Sequence, residues 1–189
     1  LNMKNKIEEI IEESIAVKKD LVKSQSGAIE KAAEAMISAL KAGGKIVIFG
    51  NGGSAADSQH IAAELVGRFL KERKGLPAIA LTTNTSILTA IANDYSYNQV
   101  FSRQVDAVAE KNDVAIGIST SGKAANVIEA IEFANKKGLV TIALTGGDGG
   151  GLAKVAKISI IVPSRSTPRI QESHVTIGHI ICQLVEDAL

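Results

Sequence analysis

Two stretches near the beginning of the chain carry the hydrophobic spacing of an α-helix. Between residues 7 and 21, Ile, Val and Leu recur at helical intervals with Lys and Glu between them. A second helical pattern covers about 28–41 and ends at Gly43-Gly44, a typical signal for a helix C-terminus. We therefore predict two leading helices within residues 1–43. An apolar stripe on such helices needs a partner, so we expect this segment to pack in an oligomer.

From residue 44 onwards, short strands alternate with helices. Runs of branched aliphatic residues predict five strands, at residues 45–49, 78–81, 114–118, 140–144 and 158–162. Helical patterns cover about 54–69, 86–92, 98–110, 123–137, a short segment after 151, and 169–189. The alternation predicts an α/β fold with a five-stranded parallel sheet flanked by helices, a flavodoxin-like three-layer sandwich. We expect residues 1–189 to form a single domain, with residues 44–189 as its sheet-and-helix core.

Composition narrows the classes of partner. Hydrophobic residues make up 46% of the chain and aromatic residues only 3%, so the core must consist of Ala, Ile, Leu and Val. The net charge of +1 leaves no basic surface for nucleic acid. No apolar run approaches the roughly 18 residues of a membrane span. Cys182 is the only cysteine and is expected to be buried on a helix, so no intrachain disulfide forms and a cytoplasmic protein is expected.

Two loops after predicted strands have the features of anion-binding loops. Residues 50–54 (GNGGS) follow the first strand, residues 119–122 (STSG) follow the third, and each leads into a helix. Free backbone N–H groups, the positive helix end and the hydroxyls suit a phosphate monoester. Ordinary turns and helix caps use the same residues, so one such loop alone would not identify a site. Neither loop has a Walker or GxGxxG pattern, which favours a simple phosphorylated metabolite over a nucleotide.

Histidine and carboxylate residues recur at helical spacing on two predicted helices. His60 and Glu64 are four residues apart on the helix after the first loop, on a face expected near the carboxyl edge of the sheet. On the last helix, one stripe carries Gln171 and His179, whereas His174 lies on another side. These four side chains could surround zinc, or Glu64 and His179 could shuttle protons. The spacing also fits a surface ion pair and a packed histidine.

The order of these motifs resembles a known family. The loop at 50–54 with His60 and Glu64, Asn93-Asp94, residues 117–122, and residues 169–172 with His179 are together similar to the sugar isomerase (SIS) domain. Within that superfamily they resemble the sedoheptulose 7-phosphate isomerases, or phosphoheptose isomerases. The likeness covers nearly the whole chain. The two Ser-rich loops are shared across the superfamily, and the set of His60, Glu64, Gln171 and His179 is much narrower.

The resemblance implies an activity and a role for each matching residue. The family interconverts sedoheptulose 7-phosphate and D-glycero-D-manno-heptose 7-phosphate, as the first step of nucleotide-activated heptose synthesis. It is a homotetramer with sites at subunit interfaces and one zinc per subunit. Glu64 and His179 match its acid/base pair, and the implied zinc ligands are His60, Glu64, Gln171 and His179. The implied substrate-binding residues are Asn51, Gly52, Gly53, Ser54, Asn93, Asp94, Ser119, Thr120, Ser121 and Gln171.

The chain departs from the family in the second loop. Where the family commonly has Ser-Gly-Asn-Ser, this chain has Ser121-Gly122-Lys123-Ala124. Ala124 lacks a hydroxyl that would donate to the phosphate, which predicts binding weakened by about 1 kcal/mol. Lys123 either restores attraction as a point charge or faces solvent, and the sequence does not decide between these positions.

Other functions are compatible with the same fold. A non-catalytic SIS-fold tetramer binds the bacterial replication initiator, but that protein lacks the residues matching Glu64 and His179. A sugar-phosphate-sensing module of a transcription regulator would normally carry a basic helix-turn-helix segment. Another phosphosugar isomerase, with a different sugar length, also fits the motifs. The isomerase of sedoheptulose 7-phosphate accounts for the largest set of residues.

Overall fold

A five-stranded, entirely parallel sheet lies at the centre of the computed structural model, which describes residues 2–189. The strands are β1 (Ile46–Gly50), β2 (Ala78–Ala80), β3 (Val114–Ile118), β4 (Val140–Gly146) and β5 (Ile158–Val162). Their order across the sheet is β2-β1-β3-β4-β5, which confirms the predicted flavodoxin-like sandwich. The helices are α1 (Met3–Lys41), α2 (Gly53–Val66), α3 (Thr85–Asp94), α4 (Ser102–Val108), α5 (Ala125–Lys136), α6 (Leu152–Val155) and α7 (Thr167–Ala188).

The sheet separates two apolar layers. Because side chains alternate along a strand, Ile46 and Ile48 face one layer while Val47 and Phe49 face the other. The first layer is completed by α1, α2 and α7, and the second by the helices from α3 to α6 together with a 3-10 turn at Tyr97–Gln99. Every residue of β1 and β3 is buried, which explains their unbroken runs of apolar residues and glycine.

A single leading helix replaces the two that we predicted. The 39 residues of α1 continue through the polar segment 24–27 because nothing in it stops a helix. The hydroxyls of Ser24 and Ser26 donate to carbonyls four residues back, within the helix. Gly27 costs about 1 kcal/mol relative to Ala, but it keeps its N–H and does not end the helix. Gln25 in the same segment accepts a hydrogen bond from the N–H of Ile161 at 3.0 Å, which ties α1 to the edge strand β5.

The N-terminal half of α1 leaves apolar side chains uncovered. Ile7 and Ile11 are more than half exposed, and Met3, Ile10, Ile15 and Val22 continue the exposed series. Further along, a groove of about 360 Å³ between α1 and α7 includes Leu21, Ile29, Ile180 and Leu184. Exposed apolar surface of this extent is typical of a protein–protein contact.

Two other expectations concern the membrane and the cysteine. Among residues 2–189, no helix combines the length and apolarity that crossing a bilayer requires. Cys182 is buried on α7, as predicted.

His174 holds α7 against the end of the central sheet. Its side chain is fully buried, and Nε2 lies 3.1 Å from the carbonyl oxygen of Thr145 at the end of β4. A carbonyl only accepts, so Nε2 carries the proton in the neutral ring. Burial lowers the pKa of His174 to about 4, although the Thr145 contact opposes the shift. This histidine is therefore a structural residue.

The buried His174 predicts a loss of stability on mild acidification. In the unfolded chain the imidazole takes up a proton near pH 6.5, whereas in the folded chain it does so only near pH 4. The free energy of unfolding therefore falls between these values, with His174 contributing about 3 kcal/mol. We expect His174→Gln to lower stability at pH 7.5 yet flatten this decline. Urea unfolding at pH 7.5, 6, 5 and 4 measures how steeply the free energy of unfolding falls with pH in wild type and in the variant. Equal slopes would contradict the assignment of this decline to His174.

Candidate active site and metal centre

The two predicted anion loops meet at the carboxyl edge of the sheet. The parallel pairing of β1 with β3 places Gly50 opposite Ile118, so the loops that follow these residues start side by side. Between them lies a small pocket of about 110 Å³, lined by Asn51, Ser54, Ile118, Ser119, Thr120, Ala124 and Gln171. Helices α2 and α5 begin beside this pocket and present their positive ends there. We name it the loop pocket.

The Gln171 side chain lies in the loop pocket against the glycine with which α2 begins. A Cβ atom on Gly53 would lie 2.2 Å from the side-chain Nε2 of Gln171, closer than any real contact. The preceding Gly52 has a φ of +55°, a left-handed conformation that favours glycine, and it caps the start of α2. The two glycines therefore shape the entry to α2 and let the amide approach the backbone.

A reciprocal pair of amides joins the two loops. Asn51 donates to Asn126 at 2.8 Å, and Asn126 donates back to Asn51 at 2.9 Å. The hydroxyl of Tyr97 also lies 3.2 Å from the Asn51 oxygen. Sequence analysis missed Asn126, which the structure buries, although an Asn in the first turn of the helix after a predicted anion loop was a usable signal. Asn51 is thus held in place by two residues outside its own loop.

Lys123 faces a different pocket from Ala124. It lines a cleft of about 400 Å³ together with Ser121, Asp148, Arg165 and other residues on the far side of the second loop. A hydrogen bond from the Gly150 N–H lowers the pKa of Asp148, and the Lys123 and Arg165 charges act in the same direction. Thr120 lines both this cleft and the loop pocket, so Lys123 lies in a space that adjoins the loop pocket.

Asn93 and Asp94 lie at the end of α3, exposed to solvent. The Asn93 amide donates to the Asp94 carboxylate at 2.8 Å. Within residues 2–189, no hydrogen bond connects either side chain to the loop pocket or to the histidines.

Two histidines and a glutamate come together between α2 and α7. His60 Nε2 lies 3.0 Å from Glu64 Oε1 and 3.3 Å from His179 Nε2, and the ligand atoms of all three residues lie within 4.8 Å of one another. Two imidazole nitrogens and a carboxylate oxygen are a donor set that zinc prefers, so the side chains fit this metal. We name the set the His-Glu-His cluster.

Close packing of the two helices brings the cluster together. Gly178 precedes His179, and a Cβ atom there would lie 2.9 Å from the side chain of Ile61, the neighbour of His60. The glycine thus lets α7 approach α2. On the other side, the ring of Phe69 lies 5.5 Å from that of His179. Phe69 belongs to the loop after α2, and no pattern in the sequence placed it here.

Asp57 is a further carboxylate near the cluster, one helical turn before His60. Its Oδ2 is buried and has no hydrogen-bond partner among residues 2–189. Burial raises its pKa, and the nearby His60 charge partly offsets that shift. The sequence analysis did not single out this residue.

The cluster and the loop pocket lie at different points along α2 and α7. His60 is seven residues beyond Gly53, which at 1.5 Å per residue is about 10 Å along α2. The expectation that the His60–Glu64 face lies near the carboxyl edge stays a prediction. On α7, Gln171 precedes His179 by eight residues, or about 12 Å. Gln171 lines the loop pocket, and His179 belongs to the cluster.

Comparisons with known proteins agree with this architecture. The SIS domain family matches residues 9–146. The phosphoheptose isomerase of Thermodesulfovibrio yellowstonii is 52% identical over 189 residues, covering 100% of this chain and 94% of that protein. The phosphoheptose isomerase of Aquifex aeolicus is 54% identical, covering 98% and 97% of the two chains. The solved structure of the Neisseria gonorrhoeae phosphoheptose isomerase has a TM-score of 0.93 at 44% identity, covering 98% of this chain and 100% of that one.

These matches include both functional regions. The family match contains both loops, together with His60 and Glu64. The relatives extend the likeness through α7, which carries Gln171 and His179. The chain belongs to the SIS domain family and, within it, to the phosphoheptose isomerases.

Proposed function

We propose that the chain is an aldose–ketose isomerase that interconverts sedoheptulose 7-phosphate and D-glycero-D-manno-heptose 7-phosphate. The observation that carries this proposal is the pairing of a carboxylate with an imidazole in the His-Glu-His cluster of this chain, which is 52% identical to a phosphoheptose isomerase over 189 residues. The loop pocket supplies hydroxyls and helix N-termini for the phosphate. The reaction would begin the synthesis of nucleotide-activated heptose, in the cytoplasm.

The isomerisation requires two linked proton movements. A base removes a proton from C1 of the ketose, and the C2 oxygen gains a proton, which gives an enediol. The proton is then returned to C2 while the C1 oxygen loses its own, which gives the aldose. We assign the carbon-bound proton to Glu64, whose Oε2 makes no hydrogen bond among residues 2–189, and the oxygen-bound protons to His179.

Zinc is the metal that suits the cluster, and we propose one ion per subunit. His60, Glu64 and His179 would hold it. When bound, the metal would polarise the substrate carbonyl and stabilise negative charge on the oxygens. The protein's own part is to orient the carboxylate and the imidazole, and the short His60–Glu64 contact fixes that orientation.

We further propose that two subunits build each site. The loop pocket with Gln171 and the cluster with His179 lie on different parts of one chain, about 12 Å apart along α7. A homotetramer, as the family resemblance implies, would set the loop pocket of one subunit beside the cluster of another. Gln171 would then reach the metal across the interface. The exposed apolar face of α1 and the groove beside α7 provide surface for such an assembly.

A non-catalytic binding protein is the alternative that the motifs left open. No relative described above carries such a function, and the comparisons give that alternative no support. The number of carbon atoms in the sugar phosphate is the remaining question. We infer a seven-carbon sugar from the names of the relatives.

Glu64→Gln tests the reaction and its base. With zinc-loaded protein and sedoheptulose 7-phosphate in heavy water, proton NMR is expected to show new aldose signals with deuterium at C2. The substitution removes the base while keeping its shape, so kcat is expected to fall by about 10²–10⁴-fold. Glu72→Gln is the matched control, because Glu72 is exposed on the loop after α2. A ketose left unchanged by zinc-loaded wild type would overturn the isomerase and favour the binding protein.

Ala124→Ser tests the departure in the second loop. Ala124 lines the loop pocket and stands at the N-cap of α5, where it makes no side-chain capping bond. A hydroxyl there can accept from the helix backbone and still donate to phosphate. We expect KM to fall about fivefold and the free energy of unfolding to rise by about 1 kcal/mol. Steady-state kinetics and urea unfolding measure the two effects, with exposed Ala125→Ser as control. An unchanged KM would contradict the phosphate role.

Mixed oligomers test whether the site is shared. Gln171→Ala and His179→Ala are each expected to be nearly inactive. When the two variants are co-expressed, random association gives intact shared sites in about a quarter of cases, because one subunit supplies Gln171 and its neighbour supplies His179. We expect activity near that fraction of wild type in the purified mixed oligomer. Activity no higher than the mean of the two variants would show that each chain builds its own site.

A further inference from the structure

The loop after α2 is held against α7 by a buried carboxylate. Glu186 on α7 accepts hydrogen bonds from the backbone N–H groups of Phe69 at 3.0 Å, Leu70 at 2.7 Å and Lys71 at 2.9 Å. It also accepts from Arg73 Nε at 2.9 Å, and its side chain is only 2% exposed. These donors lower the pKa of Glu186 to about 2, against the effect of burial. The carboxylate therefore remains charged at neutral pH.

Arg73 connects that carboxylate to the end of α2. Its guanidinium donates at 2.9 Å to the carbonyl oxygens of both Glu64 and Leu65. Carbonyls in the last turn of a helix have no partner within the helix, and a cation there also suits the negative helix end. The same group reaches the Lys74 carbonyl at 3.1 Å, so one side chain closes the whole loop.

The ion pair is connected to the His-Glu-His cluster through the Glu64 backbone and through Phe69. Glu186 and His179 are seven residues apart, about two turns of α7, and so lie on the same side of that helix. Arg73 holds the backbone of Glu64, and Glu186 holds the backbone of Phe69, whose ring packs on His179. Two members of the cluster, one on each helix, are thus tied to the same pair of charges.

Cys182 is buried on α7, three residues after His179 and four before Glu186, and so lies on the same side of the helix as both. Burial raises the pKa of its thiol to about 12, and the charges of Glu64 and Glu186 add to that effect while Arg73 opposes it. The thiol therefore stays protonated. It behaves as a small apolar spacer near these three charged side chains.

We propose that Glu186 and Arg73 are positioning residues for the isomerisation: their buried ion pair sets the distance and orientation of Glu64 relative to His179. This inference rests on the proposed function of that pair. Neither residue lines the loop pocket, so phosphate binding does not depend on them. The pair acts on catalysis through the C-terminal end of α2 and through the Phe69 ring.

Glu186→Gln tests the inference, with Asp187→Asn as matched control. The amide keeps the shape of Glu186 but lacks the charge that holds four donors. Asp187 is the next residue, forms an exposed ion pair with Lys71 of the same loop, and lies outside the site. We expect Glu186→Gln to lower kcat about 10- to 100-fold, with KM within about twofold of wild type. Asp187→Asn is expected to change neither constant.

NMR of the metal-free protein gives a readout that needs no activity. The ring-proton signals of His179 report the ring current of Phe69, and we expect them to move in Glu186→Gln and to stay in Asp187→Asn. A folded Glu186→Gln protein with unmoved signals and kcat within twofold of wild type would overturn the proposal. If that variant does not fold, Arg73→Lys is measured instead and judged by the same two criteria. Lysine keeps the positive charge but lacks the several N–H donors of the planar guanidinium. If wild type has no isomerase activity, the proposed function falls, and the NMR comparison alone decides whether the pair positions His179.

Discussion

Parallel strands place all of their carboxyl ends on one edge of a sheet, and the pairing of β1 with β3 makes two particular ends adjacent. Because Gly50 stands opposite Ile118, the glycine-rich loop and the serine-rich loop start within one strand spacing of each other. The hydroxyls, the helix N-termini and the Asn51–Asn126 pair depend on that register. A shift by one residue would move these groups apart and turn the buried strand faces over.

The sequence predicted most of this framework because its signals are local. The limits of β3 and β5 agree with the predicted ones, since both are short runs of branched aliphatic residues next to turns. The two helices predicted within residues 1–43 are one, because a polar segment with a glycine looks like an interruption but bonds to its own helix. Periodicity measures burial on one side of a helix and says little about whether a polar segment between two such stretches is also helical.

The candidate site was less predictable, because it depends on distances between elements. Spacing placed His60 beside Glu64, yet only the close packing at Gly178 brings His179 to them. Gln171 shares a helical stripe with His179, but the eight residues between them correspond to about 12 Å along α7. Sharing a stripe therefore does not by itself bring the two side chains together. Arg73 and Glu186 gave no signal, because a buried ion pair far apart in sequence looks like two ordinary surface charges.

The amide pair between Asn51 and Asn126 determines how the link between the two loops responds to pH and to salt. Each side chain is both donor and acceptor, so neither can turn over without breaking both hydrogen bonds. Neither amide takes up or releases a proton, and neither carries a charge that salt could screen. This link between the two loops is therefore insensitive to acidity and to ionic strength.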